Sequence, residues 1–114
     1  MAAIRILVVE DEFLIALDIA TALEQAGLTV IGPASTVRDA LAAVEREEVH
    51  GALLDAQLAG EPSAKIADEL VARAIPFAFV SGHGKDHLPP AHRNAPLIKK
   101  PFNDSDLIAA IARF

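Results

Sequence analysis

The chain has no cysteine, tryptophan or tyrosine, and a single methionine among 114 residues. The missing cysteine excludes disulfide frameworks, thiolate metal sites and thiol nucleophiles together. Without tyrosine and tryptophan, the core has to be aliphatic, with five phenylalanines as its only aromatic hydrocarbon. No uninterrupted apolar run reaches the ~20 residues of a membrane span. The start, Met-Ala-Ala-Ile-Arg, lacks the basic stretch, apolar core and small-residue cleavage site of a secretory signal. A cytoplasmic location is therefore expected. The net charge of −6 argues against non-specific nucleic-acid binding. No repeat, linker or low-complexity tract divides the chain, so residues 1–114 are expected to form one domain. A chain of this size buries roughly 65% of its unfolded surface without staples.

What is present is a regular alternation. His50-Gly-Ala-Leu-Leu-Asp-Ala-Gln-Leu58 is the organising stretch: Gly51 to Leu54 read as a strand buried on both faces, stopped by the carboxylate of Asp55. Ile4 to Val9 form a second such strand, followed by Glu10, Asp11 and Glu12. Periodicity predicts a helix from about Glu12 to Ala26, with Ile15, Ile19, Ala22, Leu23 and Ala26 on its apolar face and Gly27 as its stop. Thr29 to Gly32 make a short strand closed by Pro33. Ser35 or Thr36 caps a helix carrying Val37, Ala40, Leu41 and Val44, which ends in the solvated charges Glu45 to Glu48. A loop from Ala59 leads to Ser63, a cap for a third helix with Ile66, Ala67, Leu70 and Val71. After Pro76 comes the strand Phe77 to Val80, then Ser81-Gly82. Gly82, Gly84, Pro89 and Pro90 oppose a regular helix, so a short helix or a loop is expected up to Pro96. Leu97 and Ile98 form a last strand before Lys99-Lys-Pro-Phe102. Asn103 or Asp104 caps a final helix with Leu107, Ile108 and Ile111 facing inward. Five strands alternating with helices give a doubly wound α/β sandwich with a parallel sheet in the order 2-1-3-4-5.

In that order the winding reverses between the first and third strands, and ligands collect in the crevice at such a point. Glu10 and Asp11 lie on one side of it and Asp55 on the other. Ser81 and Lys100 end the next two strands on the same edge. Two or three carboxylates at close range repel unless a cation joins them, and oxygen ligands select a hard ion such as Mg²⁺. A carboxylate can attack a phosphoryl group and form an acyl phosphate. That transfer needs positioning and charge neutralisation, which Mg²⁺ and a lysine ammonium supply, while a serine hydroxyl can donate to the phosphoryl oxygens. Singly, each residue has an ordinary reading as a turn, cap or helix start. Together, at successive strand ends, they fit one reaction.

The pieces Leu7-Val-Val-Glu-Asp-Glu12, Ala52-Leu-Leu-Asp55, Phe79-Val-Ser-Gly82 and Lys99-Lys-Pro-Phe102 resemble, in order and spacing, the receiver domain of bacterial two-component response regulators. The resemblance covers essentially the whole chain and implies a flavodoxin-like sandwich. It implies that Asp55 is the phosphoacceptor, Asp11 a direct Mg²⁺ ligand, Glu10 a ligand through water, and Gln57 a ligand through its backbone carbonyl. Ser81 takes the switch position, and Lys100 the lysine position before a proline whose peptide bond is usually cis. It further implies a histidine kinase or histidine phosphotransfer protein as donor, autocatalytic phosphorylation and dephosphorylation rather than ordinary enzyme activity, and output through a downstream protein. Gln57 and His83 hold places that influence phosphate loss. Dimerisation is left open, and no output domain is expected because no residues follow the last helix. Three departures stand out. Leu97 replaces the family's aromatic switch residue, Ala56 to Ser63 replace the usual signature after the phosphoacceptor, and the fourth helix is poorly specified. These traits, with Phe77-Ala-Phe-Val-Ser-Gly82, look like the subgroup of stand-alone receivers whose fourth strand ends Phe-Ala-Thr-Gly-aromatic. His83 stands at the last place of that motif.

Other readings compete with this one. An Asp-nucleophile phosphatase of the haloacid-dehalogenase type needs a second Asp two residues on, where Gln57 stands. A receiver-fold binding module without phosphorylation would not need the intact acids, Ser81 and Lys100. His83, His87 and His92 suggest zinc by composition, but the glycines and prolines among them favour a solvated loop. Phe13, Leu14 and Leu17 lie outside the first helix's core face. They are either ordinary exposed apolar residues or a docking surface for the phosphoryl donor.

Overall fold

Short apolar strands too brief to stand alone are joined in one parallel sheet by helices that cross over it. The computed structural model describes residues 3–58 and 60–114, so Ala59, the expected start of a loop, lies outside them. The strands are β1 (Arg5–Val9), β2 (Thr29–Ala34), β3 (Gly51–Asp55), the pair β4 (Gln57–Leu58) and β5 (Glu61–Pro62), β6 (Phe77–Ser81) and β7 (Leu97–Lys99). The helices are α1 (Phe13–Gln25), α2 (Val37–Arg46), α3 (Ala64–Ala72) and α4 (Asp104–Ala112). The main sheet has five strands in the order β2-β1-β3-β6-β7, all parallel. Counted along that sheet, this is the expected 2-1-3-4-5 order.

Strand alternation divides the core in two. Leu7 and Val9 of β1, Ala52 and Leu54 of β3 and Phe79 of β6 pack with Val37, Ala40 and Val44 of α2 and with Ile66, Ala67 and Leu70 of α3. Ile6 and Val8, Leu53, and Ala78 and Val80 point the other way, against Ile19, Ala22 and Leu23 of α1 and Leu107 of α4. Each fully buried aliphatic side chain here contributes about 1.5–3 kcal/mol. Gly51 is fixed by this packing, because a Cβ at its position would lie 2.4 Å from Cδ2 of Phe114.

The elements depart from the sequence expectation at several points. Ile4 is outside β1 and exposed. Ala26 is the exposed C-cap of α1 rather than part of its core face, and Ala16 and Ala20 are buried there instead. Pro33 does not close β2, which continues to Ala34 past a register shift opposite Leu7 to Val9 and a cis Gly32–Pro33 bond. An edge strand tolerates a proline because one side of it needs no N–H donor. Thr36, not Ser35, caps α2, its Oγ1 accepting the Asp39 N–H at 3.0 Å. Ser63 precedes α3 without a side-chain cap; its buried Oγ donates to the Ala56 carbonyl at 3.2 Å. Val71 is 59% exposed, because α3 ends one residue later and its inner face is already filled by Ile66, Ala67 and Leu70. Asn103 caps α4 in a reciprocal capping box with Asp106. Between β6 and β7 there is no α-helix, only two single 3₁₀ turns, Lys85–His87 and Pro90–His92, pinned by buried Leu88.

Candidate functional site

Parallel strands deliver their C-terminal ends to one edge, so residues distant in sequence meet there. Val9 of β1 is in register with Leu54 of β3, which sets Glu10 beside Asp55. Glu10 is anchored by its own N–H, which donates to the Ala34 carbonyl of β2 at 2.9 Å. Its carboxylate is buried, and Oε2 accepts the Glu12 N–H at 3.1 Å. Asp55 is the last residue of β3 and is also buried; its Oδ1 accepts the Gln57 N–H at 3.2 Å. The Ala56 N–H donates to the Val80 carbonyl, and Ser63 holds the Ala56 carbonyl, so the peptide after Asp55 is fixed from both sides. Asp11 is exposed at the mouth of the site. Ligand oxygens of Glu10, Asp11 and Asp55 all fall within 4.8 Å of one another, the one such grouping of acids and histidines among the described residues.

Lys100 closes the site from the far strand. Its N–H donates to the Ser81 carbonyl at 2.7 Å, its bond to Pro101 is cis, and its side chain crosses β6 toward the acids. Nζ stands 3.1 Å from Glu10 Oε1 and 3.6 Å from Asp55 Oδ2. Ser81 is buried and its Oγ accepts the His83 N–H at 3.0 Å.

The electrostatics follow from this crowding. Burial first and the adjoining Glu10 carboxylate second raise the Asp55 carboxyl from 3.8 to about 7, against the opposing pull of the Gln57 N–H and the Lys100 ammonium. Burial alone would lower Lys100, but Glu10, Asp55 and Glu12 outweigh it and its pKa rises. One lysine does not satisfy the set. The buried Glu10 Oε1 has no aligned hydrogen bond despite the nearby ammonium. Three clustered carboxylates facing one ammonium, with Asp55 pushed toward neutrality, fit a hard divalent cation with oxygen ligands.

All five side chains singled out at the strand ends, Glu10, Asp11, Asp55, Ser81 and Lys100, meet at this edge, with Gln57 beside them. The histidines do not form a cluster. His83 and His87 are exposed and stacked with ring centres 4.4 Å apart. His92 is not a solvated loop residue, since its Nε2 lies 2.6 Å from Asp68 Oδ1 of α3 and its ring meets Phe77 edge-on. Leu97 packs with the core beside α2 and α3. The residue that sequence reading overlooked is Ser63, whose serine-before-helix pattern signals a cap and hides the bond to Ala56.

Comparison with known proteins agrees with the geometry. The family model for the response regulator receiver domain matches residues 6–112. The phyllosphere-induced regulator PhyR of Methylorubrum extorquens is 34% identical over 97% of this chain and 43% of its own length. The transcriptional regulatory protein PdtaR of Mycobacterium tuberculosis is 29% identical over 94% of this chain and 54% of its own. The solution structure of SdrG from Sphingomonas melonis Fr1 superposes with a TM-score of 0.87 at 39% identity, covering 98% of this chain and 97% of that one. The chain thus spans about half the length of the curated relatives it matches.

Proposed function

Because this chain belongs to the response regulator receiver domain family, we propose that it accepts a phosphoryl group on Asp55 from a histidine-phosphorylated kinase or phosphotransfer protein in a two-component relay. The observation that supports this most is the convergence of Glu10, Asp11 and Asp55 within 4.8 Å, with Lys100 Nζ reaching two of them. In the reaction an Asp55 carboxylate oxygen attacks phosphorus, an O–P bond forms, and the donor's N–P bond breaks with its electron pair returning to the imidazole. Asp11 and Asp55 would hold Mg²⁺ directly, Glu10 through water and Gln57 through its carbonyl. When bound, the ion supplies charge neutralisation for the phosphoryl oxygens.

The chain's own groups do the positioning. The Gln57 N–H holds one Asp55 oxygen, leaving the other as the attacking atom. The Lys100 ammonium, now drawn to Asp55 Oδ2 and Glu10 Oε1, neutralises a phosphoryl oxygen once the acyl phosphate forms. Ser81 Oγ accepts the His83 N–H, an arrangement that leaves its own proton to donate to another. Gln57 and His83 flank the path of the water that later hydrolyses the acyl phosphate. The donor docks on α1, where Phe13, Leu14 and Leu17 are exposed. Phe13 and Leu17 also line a groove of about 350 Å³ that opens onto Glu10 and Asp11.

The protein works in the cytoplasm, and its output is protein–protein contact rather than direct contact with nucleic acid or membrane. Among the described residues, no helix is long and apolar enough to cross a membrane. The test is transfer from a histidine-phosphorylated donor, with and without Mg²⁺. The reading expects a base-labile phosphate that requires Mg²⁺ and is lost in Asp55→Asn. Failure of every histidine-phosphorylated and acyl-phosphate donor would leave the alternative, a receiver-fold binding module that is never phosphorylated.

A further inference from the structure

Directly after Asp55 the chain folds back on itself. Gln57 and Leu58 of β4 pair antiparallel with Pro62 and Glu61 of β5. Gly60 takes a φ of +83°, a value that favours glycine, and Leu58 is fully buried in the core. The hairpin thereby returns Ser63 to the side of Ala56, seven residues earlier. Ser63 is itself fully buried, and its hydroxyl does not cap α3. It donates instead to the Ala56 carbonyl at 3.2 Å. The Ser63 carbonyl meanwhile accepts the Ile66 and Ala67 N–H groups, each at 3.1 Å, so the first turn of α3 holds the serine in place.

The Ala56 carbonyl and the Gln57 N–H are opposite ends of one planar peptide. That peptide is trans, so the two groups point in opposite directions. Ser63 pulls on the carbonyl end, and Asp55 Oδ1 accepts the N–H at the other end at 3.2 Å. Whatever holds the carbonyl therefore aims the N–H. The hydroxyl also polarises the peptide, which strengthens the N–H as a donor. Of the two Asp55 oxygens, Oδ1 is tied to this peptide, while Oδ2 faces Lys100 Nζ at 3.6 Å. Removing the hydroxyl takes this partner from the carbonyl of a buried residue. Rotation of the peptide relieves that loss and draws the N–H away from Asp55.

We propose that Ser63 is a positioning residue for phosphoryl transfer: acting through the Ala56–Gln57 peptide, its hydroxyl selects Oδ2 of Asp55 as the attacking oxygen and fixes the backbone that presents the Gln57 carbonyl. The inference rests on Asp55 being the phosphoacceptor. It gives the stretch from Ala56 to Ser63 a role in the chemistry, although Ser63 stands one peptide away from the reacting atoms.

The test compares the whole chain with Ser63→Ala, Ser63→Thr, Ser63→Cys and Asn103→Ala. In metal-free protein, NMR should show the Gln57 amide proton of Ser63→Ala shifted upfield and exchanging faster with solvent. With a small acyl-phosphate donor and saturating Mg²⁺, Ser63→Ala should lower the maximal phosphorylation rate about tenfold. The donor concentration at half-maximal rate should stay unchanged, and the Mg²⁺ concentration at half-maximal rate should rise. Threonine keeps the hydroxyl and should recover most of the rate. Should its extra methyl prevent folding, cysteine supplies a weaker donor and should fall between serine and alanine. Asn103→Ala weakens the fold at α4, remote from this peptide, and should leave the rate unchanged. An unmoved Gln57 amide, an undiminished rate in Ser63→Ala, folded threonine and cysteine variants no faster than alanine, or equal slowing in Asn103→Ala would overturn the proposal. Failure of the wild type to take phosphate at Asp55 would instead overturn the reading on which it rests.

Discussion

Replacing Asp55 by asparagine should stabilise the metal-free protein at pH 8. In the native site the Asp55 carboxyl is raised from 3.8 to about 7, first by burial and then by Glu10. Between those two values the native state holds a proton that the unfolded chain has released. Stability therefore falls as pH rises through that window and levels off above it. The full shift corresponds to about 4 kcal/mol at 1.36 kcal/mol per unit. The site opens to solvent at Asp11, which roughly halves this, and asparagine forfeits the Lys100 contact, worth up to about 1 kcal/mol. A net gain of about 1–2 kcal/mol follows, or a rise in Tm of about 3–8 °C for a domain of this size. The assay is thermal and urea unfolding in EDTA at pH 5 and pH 8. At pH 5 the gain should shrink, because native Asp55 is then already neutral. Mg²⁺ should raise the stability of the wild type by about 2.7 kcal/mol at a hundred times its Kd, and that of Asp55→Asn by less. An asparagine variant less stable than wild type at pH 8 in EDTA, or a difference equal at both pH values, would refute the reasoning.

Three further outcomes follow from the same geometry. Lys100→Met leaves Glu10 and Asp55 facing each other without an ammonium; it should destabilise the metal-free protein at pH 8 by about 2 kcal/mol and slow phosphorylation at least about tenfold, read by urea unfolding and transfer assays. Gly51→Ala places a methyl 2.4 Å from the Phe114 ring and should cost about 1–3 kcal/mol, largely recovered in combination with Phe114→Ala, as a double-mutant cycle would show. Asn103→Ala removes the capping box of α4 and should cost about 1 kcal/mol in urea unfolding, with no change in phosphorylation.

Fold and site were legible in the sequence to different depths, for physical reasons. The buried strands announced themselves because Leu7 to Val9, Gly51 to Leu54 and Phe77 to Val80 are apolar without alternation, as covering on both faces requires. A polar residue directly after such a strand must lie at the sheet's edge, so Glu10, Asp55 and Ser81 could be placed before any contact was known. The amphipathic helices were legible by period, but their ends were not. Val71 and Ala26 fit the apolar rhythm, yet each falls at the end of its helix, where it is exposed. Pro33 suggested a stop because the rule against proline applies to central strands, and β2 is at the edge. Ser63 satisfies a cap pattern while its hydroxyl serves a carbonyl seven residues away, a tertiary choice that local sequence does not encode. The glycines and prolines from Gly82 onward correctly argued against a helix. They could not show that His92 would turn inward to Asp68.

The central claim is that this edge of the sheet exists to make an acyl phosphate on Asp55. The most direct measurement is intact mass with peptide mapping after exposure to a small acyl-phosphate donor and Mg²⁺. The account predicts gain of one phosphoryl group, located at Asp55, absent in EDTA and absent in Asp55→Asn. A phosphate mapped to any other residue, or one that forms equally well without Mg²⁺, would contradict it.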